Sequence, residues 1–76
     1  MKASVLTGII QRLVSMVSSE NEVETRRFEL DGVEKCIVTY SAELDSFELT
    51  DRETNSTYQF DDIDLVAIEI FELLAQ

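Results

Sequence analysis

From Val23 to Phe60 the chain alternates apolar and polar residues at a spacing of two, and on either side the spacing changes to three and four. That pattern predicts a helix, a run of strands and a second helix. Four strands fit, near residues 23–30, 33–41, 46–52 and 57–60. The short connections leave room for hairpins and none for parallel crossovers, so the strands should form an antiparallel meander.

Each turn can be tested by asking whether it keeps the apolar residues on one face. A loop over 42–45 sets Tyr40 opposite Phe47 and Val38 opposite Leu49, and a two-residue turn at Thr54 and Asn55 sets Leu49 opposite Phe60. Both keep Cys36, Val38, Tyr40, Phe47, Leu49, Tyr58 and Phe60 on one buried face. The other face then carries Lys35, Thr39, Glu48, Thr50, Arg52, Thr57 and Gln59, with Ile37 the apolar exception. The first hairpin disagrees: a two-residue loop at Asp31 and Gly32 would pair Leu30 with Val33 and turn Phe28 and Leu30 to the wrong face. A bulged or three-residue turn that uses the left-handed backbone open to Gly32 is expected instead.

The first helix should span 4–18, with Ser4 as N-cap and a stripe of Val5, Leu6, Ile9, Ile10, Leu13, Val14 and Val17. Its opposite face, Thr7, Gly8, Gln11, Ser15 and Ser18, is small and neutral, with Arg12 the lone charge. Such a face suits contact better than solvation. The last helix starts at Asp61 or Asp62, and only Asp62, Glu69, Glu72 and Gln76 form a polar strip on it. Its apolar arc is about twice the ~100° that one packing partner requires, so it should be buried on two sides. Two helices about 10 Å apart just cover four strands spaced about 4.8 Å, which gives a two-layer α+β fold with both helices on one sheet face. Leu65 and Leu73 are then left over as interface candidates, joined by Gly8, Gln11 and Ser15 of the bland face.

The whole chain, 1–76, reads as one domain. A core this small supplies roughly 3 to 5 kcal/mol, which favours a homodimer. Sixteen Asp and Glu against six Lys and Arg give a net charge of −10, which argues against nucleic acid and anionic membranes and for a basic protein partner. Arg26 and Arg27, beside Glu24 and Glu29, are expected in cross-strand ion pairs rather than at a phosphate. Thr7, Gly8, Gln11 and Arg12 interrupt the apolar run that a signal peptide needs, and the apolar stretch 63–75 is too short and too acidic to span a bilayer. A single cysteine has no mate for a disulfide, and a cytoplasmic location follows as the expectation.

Chemistry has little to work with. There is no histidine, no zinc spacing and no glycine-rich phosphate loop. Asp61, Asp62 and Asp64 are the one dense carboxylate group. Their place at a helix start fits capping and the helix dipole better than a metal, and their spacing is not that of a calcium loop. Cys36 reads as a small core hydrophobe, since no histidine is present to activate it and Lys35 points the other way. Tyr40, Phe47, Tyr58 and Phe60 lack basic flanks and read as core rather than as a base-stacking platform. No catalytic residue, cofactor or metal is expected.

The segments Gly8-Ile9-Ile10-Gln11-Arg12-Leu13, Phe28-Glu29-Leu30-Asp31-Gly32 and Phe47-Glu48-Leu49-Thr50, and above all the stretch 58–74 with Phe60-Asp61-Asp62-Ile63-Asp64 and Ile68-Glu69-Ile70-Phe71-Glu72-Leu73-Leu74, resemble the YkuJ-like family. Its members are small uncharacterised bacterial proteins. The resemblance implies the same helix, four-stranded meander and closing helix, and implies no activity or site residues. The function therefore reads as unknown, with a non-enzymatic homodimeric interaction module as the leading expectation. The alternative is a small-ligand or divalent-metal activity at Asp61, Asp62 and Asp64; an acidic mimic of nucleic acid is a third.

Overall fold

The structure, a computed structural model, describes residues 3–75; the side chain of Ser4, expected as an N-cap, and Gln76 lie outside the described residues. Helix α1 (Ala3–Val17) leads into strands β1 (Val23–Leu30), β2 (Val33–Ser41), β3 (Ser46–Asp51) and β4 (Ser56–Phe60), and helix α2 (Ile63–Leu74) closes the chain. The strands form one antiparallel sheet in the order β1-β2-β3-β4, as the alternation requires. The fold is α+β.

Phe28, Cys36, Val38, Tyr40, Phe47 and Leu49 supply the buried face of the sheet, and they join Ile9, Leu13 and Met16 of α1 and Val66, Ala67, Ile70 and Leu73 of α2 in one core. Helix α2 touches all four strands and packs beside α1. In α1 the buried line is Ile9, Leu13 and Met16 at spacings of four and three, so the apolar stripe is turned toward Met16 and leaves Val14 and Val17 exposed. Among the described residues no buried polar side chain lacks a partner.

The three connections differ in how they reach the left-handed region. Asp31 and Gly32 both have positive φ, 52° and 80°, and form a two-residue hairpin that pairs Leu30 with Val33. The irregularity comes further on: Glu29 faces Glu34 while Phe28 faces Cys36, so Lys35 is the extra residue of a bulge in β2. A bulge is present, as expected, but it lies in the strand rather than at Gly32. The Asp-Gly pair satisfies the tight turn by itself, and the core's demand for Phe28 is met by inserting a residue in the neighbouring strand. Replacing Gly32 by alanine should cost about 1 kcal/mol through backbone strain alone, since an added Cβ meets nothing within 4 Å. Urea denaturation would measure this, and asparagine at the same position should cost less.

The 42–45 loop gives the expected pairs Tyr40 with Phe47 and Val38 with Leu49. It ends on Asp45 in the left-handed region at φ 50°, where Oδ1 accepts a 2.8 Å hydrogen bond from the Tyr40 hydroxyl. The third connection departs from expectation: residues 52–55 form a four-residue loop, which sets Leu49 opposite Tyr58 and Phe47 opposite Phe60. A two-residue turn would need positive φ at both Thr54 and Asn55, and β-branched threonine resists it; only Asn55 adopts it, at φ 58°. The Asn55 N–H donates to the Asp51 carbonyl at 2.7 Å and the Glu53 N–H to Asp51 Oδ1 at 2.9 Å, which hold the longer loop. The shift is two residues, so the faces survive it. Tyr58 nevertheless stays 47% exposed, because β4 is an edge strand.

On the other sheet face Thr25 meets Thr39 and Thr50 meets Thr57, each at 3.3 Å between hydroxyls. Glu34 takes Arg27 Nε on one carboxylate oxygen and Arg52 Nε on the other, both at 3.1 Å.

Candidate interaction surfaces

The five interface candidates fall in three different places. Leu65 is on the outer side of α2 and 55% exposed, as its helical position suggests. Leu73 is only 7% exposed and belongs to the core. It continues the line of Val66 and Ile70 by one turn, because α2 is rotated so that the side bearing Glu69, itself half-buried, faces the sheet. The residue that takes its place outside is Ile68, 49% exposed, one turn from Leu65.

Val5, at the start of α1, lies against Phe71, Leu74 and Ala75, at the end of α2, around an apolar groove of about 550 Å³ closed by Glu29 and Leu30. The two helices therefore run antiparallel, which brings the exposed Val14 and Val17 of α1 to the same end of the helical layer as Leu65 and Ile68. Val14 and Val17 of α1 and Leu65 and Ile68 of α2 are each exposed on the helical layer. Helix α1 contributes no acidic residue to it, an unusual stretch in a chain of charge −10.

Gly8, Gln11 and Ser15 lie elsewhere. With Arg12 they form one wall of an open depression of about 620 Å³, and Arg26 and Arg27 of β1 form the other. No direct sequence signal marks this cluster, since Arg12 and Arg26 are fourteen positions apart; the hint is that α1 places its one charge on the bland face. Arg12 also sits over the Phe28 ring, 5.7 Å from its centroid. Arg27 makes a cross-strand ion pair as expected, with Glu34 of β2. Arg26 makes none within 4 Å among the described residues.

At the start of α2 the Asp62 side chain accepts a 2.7 Å hydrogen bond from the Asp64 N–H and caps the helix. Asp61, Asp62 and Asp64 are all exposed, and the described residues hold no group of three or more His, Cys, Asp or Glu placed to bind a metal ion. Cys36 is fully buried, and its thiol is pushed up to about 12 by burial first, then by the charges of Asp51, Glu34 and Glu69. The Tyr40 hydroxyl is also raised, chiefly by its hydrogen bond to Asp45. Glu24 is lowered by hydrogen bonds from Ser19 and Asn21, which fasten the link between α1 and β1. Among the described residues no helix is long and apolar enough to cross a membrane.

The two-helix, four-strand fold is shared with known proteins. Residues 9–74 match the model of a family described as protein of unknown function, DUF1797, and the chain belongs to that family. It is 47% identical to the uncharacterized protein YkuJ of Bacillus subtilis, over 93% of this chain and 98% of that one. The X-ray structure of Bacillus subtilis YkuJ superimposes with a TM-score of 0.85 at 45% identity, covering 93% of this chain and 98% of the other. The family resemblance and the α+β fold read from the sequence are thereby confirmed, and the function of the family is unknown.

Proposed function

We propose that this protein acts through contact rather than catalysis, as a cytoplasmic homodimer whose copies meet at the helix pair through Val14, Val17, Leu65 and Ile68. The observation that carries this reading is the exposure of those four aliphatic residues on the two helices in a protein with ten excess negative charges. Two such copies repel each other over most of their surface, and α1, without an acidic residue, is a flank along which they can approach. A single buried cysteine suits a reducing compartment.

Sedimentation from about 1 to 100 µM tests the reading. The wild-type chain should be a dimer in this range, and the double variant Leu65→Glu, Ile68→Glu should be monomeric and folded. A wild-type monomer throughout, or a variant that dimerises unchanged, overturns it; in the first case the same face would be open to a different, basic protein.

A further inference from the structure

The depression between α1 and β1 has Arg12 on one wall and Arg26 on the other, with Arg27 at its edge holding Glu34 on the opposite sheet face, and none of the described residues that line it is acidic. Like charges across one cavity repel, and a negative group between them relieves that repulsion. Arg12 is held in part by Phe28; Arg26 acts on the charge of Glu24, whose Oε1 accepts from Ser19 and Asn21, and among the described residues it makes no ion pair within 4 Å. Gly8 is a second observation. A glycine inside a helix weakens it relative to alanine, yet a Cβ here would meet nothing within 4 Å, so packing does not call for glycine at this position. Without a side chain here the helix backbone itself borders the depression beside Gln11 and Ser15, both exposed and both able to donate hydrogen bonds.

We propose that this depression binds a small phosphorylated molecule, with its phosphoryl oxygens held by Arg12 and Arg26 and its uncharged part lying along Gly8, Gln11 and Ser15. A phosphoryl group carries close to two negative charges near neutral pH and spreads them over three oxygens. That suits guanidinium groups arriving from two walls, whereas a carboxylate offers one charge in one plane. The space, about 620 Å³, exceeds the need of a bare phosphate. A nucleic acid strand would be turned away by the net charge of −10, but a small ligand inside the cleft feels mainly the nearby arginines, because more distant charges are screened over about 8 Å at physiological salt. The site lies on the flank of α1 that faces β1, is lined by none of Val14, Val17, Leu65 and Ile68, and stands independently of the dimer reading.

The test is an NMR titration of the full chain with inorganic pyrophosphate at constant ionic strength, with glutarate as the carboxylate comparison. Pyrophosphate should bind saturably with a dissociation constant in the millimolar range or tighter, with shifts concentrated at residues 8–15 and 25–28. Arg26→Gln should weaken binding by about tenfold, as expected for loss of one charge-assisted contact, while Lys35→Gln, the same change of charge elsewhere, should leave it unaltered. Absence of saturation up to about 10 mM, equal binding by Arg26→Gln, or equal affinity for glutarate would each overturn the proposal.

Discussion

Replacing Phe28 by alanine should leave most of the chain unfolded at 25 °C. Phe28 is fully buried and is the one buried residue of β1, whose remaining seven positions are exposed or half-exposed. The bulge at Lys35 adjusts the register by the one residue that lets Phe28 face Cys36 on the core side, and the ring also carries Arg12. Removing a buried phenyl group costs about 3–5 kcal/mol, the transfer free energy plus the cavity left behind. A single core of this size supplies roughly the same amount, so the margin disappears. Urea denaturation at fixed protein concentration, followed by far-UV circular dichroism, measures it. Leu30→Ala, two residues along the same strand, is the control: Leu30 is 37% exposed and should lose much less. A Phe28→Ala protein that keeps a full folded baseline, within about 1 kcal/mol of the wild type, would show that β1 is not fastened through this residue.

The contrast between Phe28 and Leu30 also marks what the sequence could say about this fold. Alternation identifies which side of a strand a residue is on, and so the meander and the buried set Cys36, Val38, Tyr40, Phe47 and Leu49 were legible. It is blind to a shift of two residues, which moves no side chain to the other face. That is why the third connection could be read as two residues when it has four, and the deciding information was the resistance of Thr54 to positive φ. The place of the bulge was equally invisible, because a bulge at Gly32 or at Lys35 restores Phe28 equally well.

Helices pose a different ambiguity. A helical wheel fixes the angles among Leu65, Ile68 and Leu73 but not the rotation of the helix as a whole. The sheet settled that rotation by taking the Glu69 side inward, which buried Leu73 and turned Ile68 out. In α1 the same freedom moved the buried line onto Met16. Surfaces made by two elements were the least legible, since Arg12 meets Arg26 only because α1 lies along the β1 flank.

Cys36 should be nearly inert in the folded protein, reacting with thiol reagents at pH 8 at least about a thousandfold more slowly than in the urea-unfolded chain. The thiolate is the reactive form, and the thiol is pushed from an ordinary 9.0 to about 12 by burial and by three nearby carboxylates. At pH 8 that change alone lowers the thiolate population by about 10³, and the fully buried sulfur denies the reagent access as well. Labelling should therefore pass through the unfolded fraction, so that its rate rises with urea and is fast in Phe28→Ala without any denaturant. The same shift bears on stability. Between about pH 9 and about pH 12 the unfolded chain has released the Cys36 proton while the folded chain still holds it. The unfolded state thus binds fewer protons in that window, and stability falls as pH rises through it. Tyr40, raised from 10.0 by its bond to Asp45, acts in the same direction, so Cys36→Ala should flatten the alkaline decline without abolishing it. Rapid labelling of the native protein, at a rate that urea does not change, would mean that the sulfur is reached without unfolding and that the core around Leu49 and Ile70 opens by itself.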